Sequence, residues 1–405
     1  MRAALEKTRE ALPLRTGQVP AGTGLALPSF FLGGFECSAQ RQPDGRRLDL
    51  LASTGHDRLF ESDFRQLQRH RISAARDGLR WHLIETTPGH YDWSSALPML
   101  QAARRHGVRI IWDLCHYGWP DGLDIWSASF VERFARYAAA AARVVAEESD
   151  MPSTFCVINE ISFWAWAGGE VGRFAPATVG RGGELKRQLV RAAIAATAAI
   201  RQVSPDARFI TAEPTINVVS GPSDPDTLAS AEMYRQTQFE AHDMLSGRQA
   251  PELGGRPDLL DIVGINFYPD NQWYLGDLTI PFGHHAFRPL RDMLAEAHAR
   301  TGRPLLIAET GAEGTAKASW LHYVCGEVRA AQRADVPIEG ICLYPILDYP
   351  GWDNDRPCAV GLFSMPELDG RRRTDPDLEE ELARQQDEFA ARATPGRFRA
   401  ARAIA

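Results

Sequence analysis

Residues 304–311 read Pro-Leu-Leu-Ile-Ala-Glu-Thr-Gly. The apolar run Leu305, Leu306, Ile307, Ala308 fits a strand covered on both faces, as strands of parallel sheets are. Glu309 stands where that strand leaves the core, and Gly311 follows at once. Residues 154–160, Thr-Phe-Cys-Val-Ile-Asn-Glu, repeat the pattern, with Glu160 at the C-terminal edge of an apolar run. A single glutamate after a strand means little. Two carboxylates on two strand ends are what cleavage of a glycosidic bond requires.

Outward from these two strands, apolar runs predict six more, at residues 30–37, 71–80, 108–115, 208–213, 261–268 and 339–344. Apolar residues at helical spacing predict helices over 56–70, 91–106, 128–147, 184–203, 228–245, 288–300, 318–333 and 378–390. Strict alternation of eight strands with eight helices predicts an α/β chain folded as a single (β/α)8 TIM barrel. A doubly wound sheet is the rival, but no GxGxxG follows the first strand. The expected organisation is a peripheral segment over 1–28, the barrel over 29–392 and a frayed tail over 393–405. Residues 163–169, rich in aromatics and glycine, read as a loop. Arg371-Arg372-Arg373 reads as a solvated run.

The chain has 405 residues, 44% of them hydrophobic, enough for one large core. Its net charge of -7 argues against a nucleic-acid partner. No apolar run is long enough to span a membrane, and residues 1–18, with Arg2, Glu6, Lys7 and Arg9, do not read as a secretory leader. The six cysteines form no CxxC pair, which fits reduced thiols and a cytoplasmic location. The histidines show no metal-ligand spacing, and no glycine-rich loop cradles a phosphate, so neither a metal nor a cofactor is expected.

Active sites of such barrels lie at the C-terminal strand ends. Those ends offer Glu36, Arg76 or Arg80, His116, Asn159 with Glu160, Glu213, Asn266 with Tyr268, Glu309, and an aromatic segment from Tyr344 to Trp352. Carboxylates and amides suit sugar hydroxyls, and indole faces suit the C–H faces of pyranose rings. Arg80 has Asp77, Glu85 or another loop acid to pair with. Glu36 and Glu213 read equally well as substrate contacts or as internal partners.

From Phe31 to Leu362 the chain resembles the retaining glycoside hydrolases of clan A, most of all family 1, the β-glucosidase family. The resemblance rests on seven motifs in order: Phe31-Leu32-Gly33-Gly34 with Ser38; Arg76 to Trp81; Leu114-Cys115-His116-Tyr117 to Pro120; Ile158-Asn159-Glu160; Gly264-Ile265-Asn266-Phe267-Tyr268; Ala308-Glu309-Thr310-Gly311; and Tyr344 through Asp348 to Trp352. There are departures. Thr310 stands where the family has Asn, Tyr344 where it has Trp, and Gly351 where it has a sugar-gripping carboxylate. The first-strand glutamine is displaced, with Gln40 nearest. The resemblance implies Glu309 as nucleophile, Glu160 as acid/base, and a carboxyl separation of about 5–5.5 Å. It implies Arg76 and Tyr268 beside Glu309, Arg76 lowering its pKa by charge. Asn159 would then meet the sugar 2-hydroxyl, with His116, Asn266, Tyr344, Trp352 and Glu36 around a small glycoside or oligosaccharide. Transglycosylation by the same glutamate pair is one alternative. A non-catalytic carbohydrate-binding barrel is another, and it would favour loss of one carboxylate.

Overall fold

The computed structural model describes residue 25 and residues 27–221, 227–276 and 278–393. Residues 1–24 and 394–405, most of the expected peripheral segment and tail, lie outside the described residues. Eight parallel strands close a barrel: β1 (Phe31–Gly34), β2 (Ala74–Gly78), β3 (Arg109–Asp113), β4 (Thr154–Cys156), β5 (Arg208–Pro214), β6 (Ile262–Asn266), β7 (Leu305–Thr310) and β8 (Ile338–Leu343). Each pairs with its neighbour in sequence, and β8 returns to β1. The fold is the (β/α)8 barrel.

Alternation along the strands sorts side chains into two layers. Leu32, Ala74, Ile111, Cys156, Ala212, Ile262, Leu306, Ala308 and Cys342 form the barrel's interior, and Leu25 joins them. Leu305, Ile307, Val263 and Phe155 pack outward against the helices. Helix Ala128–Glu147 shows how that outer layer forms. Ser127 caps its first turn by accepting from Phe130 N at 3.3 Å. Its buried face is built around Ala138, Ala141 and Ala142, and it packs closely on helix Gly182–Val203, which buries Ala192, Ala193 and Ala196. All six cysteines are free and buried.

One irregularity decides where the site lies. Ile265 of β6 pairs with Ile307, but the next residue, Asn266, pairs with Glu309. On the other side Ile341 pairs with Ile307 and Leu343 with Thr310. Strand β7 therefore carries one extra residue relative to both neighbours, a bulge at Ala308–Glu309. Ala308 already faces inward, so strict alternation would send Glu309 to the helix layer. The bulge turns it to the barrel mouth instead.

Three expectations from the sequence need correction. The segment after Glu160 is not a loop but a short helix, Ile161–Trp164, running into a π-helical turn, Ala165–Glu170. Its glycines serve close packing: a Cβ on Gly168 would lie 2.8 Å from Ala175 O, and one on Gly169 3.1 Å from Gly182 Cα. The helix expected from residue 91 begins at Leu97, with proline in its first turn. Tyr91 and Trp93 precede it and pack on Tyr137. Arg372 is not solvated. It is buried and forks onto Asp63 at 2.7 and 3.1 Å. Of the acids open to it, Arg80 takes Asp49 and Asp57, each at 3.2 Å. Asp77 points outward and joins Asp63 on the two nitrogens of buried His56, at 3.0 and 2.8 Å.

Candidate active site

Arg76 extends from β2 into the barrel mouth and is 1% exposed. Every N–H of its guanidinium has a partner. Nε and Nη2 fork onto Asp113 at 2.8 and 2.7 Å. Nη1 donates to Glu309 Oε1 at 2.7 Å and to Ala308 O at 3.3 Å. Nη2 also donates to Asn159 Oδ1 at 2.6 Å. Tyr268 donates to the other oxygen of Glu309 at 2.9 Å.

That arrangement fixes the amide of Asn159. Its Oδ1 faces Arg76, so its Nδ2 donates to His116 Nε2 at 2.9 Å. His116 then carries its proton on Nδ1, toward Asp113 Oδ2 at 3.0 Å. Cys37 Sγ lies 3.2 Å from the same nitrogen. Cys37, Asp113 and His116 are the one cluster of three potential metal ligands among the described residues. Their facing atoms are occupied by one another and by Arg76. Sequence spacing could not reveal this cluster, because it joins the segments after β1 and β3.

Glu160 sits on the opposite side. Its backbone is left-handed, φ 45° and ψ 61°, a costly conformation for a residue with a side chain. The chain holds it there: Asn159 N bonds Cys115 O and Glu160 N bonds Ala212 O, both at 3.0 Å. Its carboxylate accepts from Tyr117 OH at 2.5 Å and from Asn266 Nδ2 at 2.9 Å. Tyr117 is also a non-glycine residue at positive φ, 65°. Two strained residues thus meet through one hydrogen bond.

Burial pushes the pKa of Glu160 up, against the pull of the Tyr117 and Asn266 hydrogen bonds. Burial also dominates at Glu309. Arg76 pulls its pKa down and Glu160 pushes it up, and the net result is a rise to about 7. Arg76 does lower the Glu309 pKa by charge, as the resemblance implies, but burial outweighs it. The guanidinium's charge is shared with Asp113. Arg76 touches Glu309 and not Glu160, and this contact favours the ionised form of Glu309.

The remaining candidates divide. Glu36 reaches the same mouth. One oxygen accepts from Ser38 N at 3.0 Å and from the Ser38 hydroxyl, and His116 Nε2 lies 3.9 Å away. Tyr344 is buried under Arg76, whose Cζ lies 5.3 Å from its ring centre. Gly34 makes room for it, since a Cβ there would fall 2.0 Å from the ring. Trp352 is half-buried against Tyr117, Phe163 and Phe174. Its Nε1 is buried without a hydrogen-bond partner, as are Asn266 Oδ1 and both amide atoms of Gln40. Glu213 follows inward-facing Ala212 and so turns away from the mouth. It accepts from Ser162 N at 3.0 Å, in the first turn of the helix after Glu160. Thr310 is turned outward too, donating to Phe267 O at 2.7 Å and accepting from Trp320 Nε1 at 2.9 Å. The sequence reading missed Asp113 and Tyr117. Asp113 could have been found as an acid two residues beyond inward-facing Ile111.

No family model matches the sequence, and no curated protein matches it. Solved structures do match in fold. A family 1 β-glucosidase from Thermotoga maritima superposes with a TM-score of 0.72 at 15% identity, over 89% of this chain and 98% of that one. An enzyme designated AHE from Alicyclobacillus herbarius gives 0.72 at 18% identity, over 90% and 98%. A hyperthermophilic β-glucosidase mutant gives 0.70 at 15%, over 88% and 99%. The chain is thus similar in fold to family 1 β-glucosidases along nearly their whole length. No helix among the described residues is long and apolar enough to cross a membrane.

Proposed function

We propose that this protein is a retaining glycosidase acting on small β-glycosides through a covalent glycosyl-enzyme. The observation that supports this best is the unequal treatment of two glutamates at one barrel mouth. Glu309 is gripped by a cation and a phenol, while Glu160 is half-buried with neutral donors only. That asymmetry suits an ionised nucleophile facing a protonated acid.

Glu309 attacks the anomeric carbon while Glu160 gives its proton to the departing glycosidic oxygen. The bond from carbon to the leaving group breaks, and an ester to Glu309 forms. Glu160, now ionised, takes a proton from water. The water oxygen attacks the same carbon, and Glu309 leaves as carboxylate. Arg76 and Tyr268 hold the angle of Glu309 and receive its charge back on release. Asn159 contacts the sugar 2-hydroxyl. Glu36 supplies a carboxylate for sugar hydroxyls that Gly351, without a side chain, does not. Trp352 and Gln40 offer their unpartnered groups to the ring. The reaction needs no cofactor, and a cytoplasmic location is part of the same proposal.

The test is Glu160→Ala assayed across aryl glycosides. Turnover of poor leaving groups should fall about 10²–10⁴-fold. Good leaving groups should be spared in the first step, and azide should restore turnover by giving a glycosyl azide of retained configuration. Equal loss for all leaving groups with no azide effect would contradict the assignment.

A further inference from the structure

Tyr117 has no part in the reaction as proposed, yet its hydroxyl is tied to Glu160. The residue is 1% exposed, and its backbone is left-handed, φ 65°. A residue with a side chain keeps such a conformation only where its surroundings enforce it. Here Phe163, Trp164, Phe174 and Trp352 surround the phenol ring, at ring-centre distances between 5.3 and 5.8 Å. Packing of this kind fixes where the hydroxyl oxygen sits.

A phenol can donate or accept, and its partners decide which. Arg76 Nη2 donates to Asn159 Oδ1 at 2.6 Å, and Asn266 Nδ2 faces the same oxygen at 3.4 Å. Two donors on that oxygen fix the amide, so Asn159 Nδ2 is the atom 3.1 Å from the Tyr117 hydroxyl. The nitrogen donates there and the phenol oxygen accepts. The phenol hydrogen is left for Glu160 Oε2, at 2.5 Å. Arg76 thus sets, through one amide, which way the Tyr117 hydroxyl points. A short O–H donor aimed at one carboxyl oxygen is worth most when that carboxyl is ionised. With Oε2 taken, Oε1 is left to carry a proton. It accepts from Asn266 Nδ2 at 2.9 Å, which an oxygen bearing a proton can still do.

Partial burial disfavours charge on Glu160, and the Tyr117 and Asn266 hydrogen bonds oppose it. The other charged or titratable groups whose fields reach this carboxyl are His116, Arg76, Glu309, Glu213 and Tyr268. Among the described residues, Tyr117 and Asn266 are the two that bond its side chain. We infer that Tyr117 is a positioning residue for the acid/base: its hydroxyl, aimed by Asn159, steadies Glu160 as a carboxylate once the proton on Oε1 has left. Burial suits the first step, in which Glu160 gives its proton away. Tyr117 suits the second, in which the ionised carboxylate must wait for water. The name acid/base rests on the glycosidase reading; the bond between the two side chains does not.

The test is titration of the Glu160 carboxyl by ¹³C NMR, in the full chain labelled at glutamate Cδ and carrying Glu309→Gln. That change removes the partner that titrates with it. Loss of one signal in Glu160→Gln assigns the resonance. Tyr117→Phe should raise the midpoint by about one to two pH units, the worth of a hydrogen bond to a charged group. 3-Fluorotyrosine at position 117, a stronger donor on the same ring, should lower it, and this variant serves even where Tyr117→Phe fails to fold. Tyr234→Phe, on a ring packed against Trp273, should move nothing. A midpoint indifferent to both changes at 117, or moved the same way by both, overturns the role. With Glu309 restored, the alkaline limb of kcat/KM for an aryl glycoside should follow the midpoint, and a limb that stays fixed while the midpoint moves overturns the link to catalysis. A midpoint that moves in a protein that turns over no glycoside upholds the hold of Tyr117 on Glu160 and contradicts the glycosidase reading instead.

Discussion

Arg76 stands between two carboxylates, forked on Asp113 at 2.8 and 2.7 Å and touching Glu309 with a single nitrogen at 2.7 Å. Two of its nitrogens serve Asp113 and one serves Glu309. Glu309 is left with a pKa raised to about 7, by burial first and by Glu160 against the pull of Arg76.

Asp113→Asn should release that charge. Arg76 would then compensate Glu309 more fully, and the acidic limb of the kcat/KM profile should move to lower pH. The groups facing Glu309 are Arg76, Glu160, His116, Glu36 and Tyr268, and the limb reports them as a coupled set. In the unaltered protein activity should fall on the acid side as Glu309 takes up a proton and on the alkaline side as Glu160 loses its own. A merely structural Asp113 would lower activity without moving the limb.

Tyr268→Phe removes one of the two grips on Glu309. A hydrogen bond to a charged group is worth about 1.5–3 kcal/mol, so kcat should fall roughly 10–100-fold with little change in thermal stability. Stopped-flow measurement of the glycosylation step would check this.

Much of this was legible in advance. The apolar runs ending in Glu160 and Glu309 identified two strands, and their alternation with amphipathic segments identified the barrel, because burial on both faces leaves a plain compositional mark. Arg76, His116, Asn159, Asn266, Tyr268 and Tyr344 come together because all lie at C-terminal strand ends. What stayed hidden depends on register and on partners distant in sequence. The bulge that turns Glu309 inward has no signature in Leu-Leu-Ile-Ala-Glu-Thr. Asp113 is a strand-end acid like any other until β3 is laid beside β2. Arg372 looks the same as Arg371 and Arg373, yet it alone meets buried Asp63.

His56 offers a stability prediction. Burial alone would lower its pKa, but Asp77 and Asp63 raise it from 6.5 to about 9. The stabilisation is complete below 6.5 and is lost as pH rises through 9. The difference corresponds to about 3 kcal/mol. His56→Gln should lower the melting temperature at pH 6 and flatten its decline between pH 7 and 9, as followed by calorimetry.

Glu213 has the opposite chemistry with the same sign. Burial raises its pKa to about 8, so it is neutral in the fold where the unfolded chain would ionise. Stability falls as pH climbs from the ordinary carboxylate range to 8. Glu213→Gln should therefore stabilise the protein at pH 8 and change little at pH 4, as measured by denaturant unfolding.

The most direct measurement is intact mass after incubation with 2-deoxy-2-fluoro glycosyl fluorides, followed by peptide mapping. Fluorine at C2 slows both steps, and the good leaving group lets the ester accumulate. One adduct, on Glu309, is the predicted result, and the sugar that gives it names the specificity. An adduct on another residue would contradict the assignment of the nucleophile. No adduct from any sugar, with no hydrolysis of the matching aryl glycosides, would contradict the glycosidase itself.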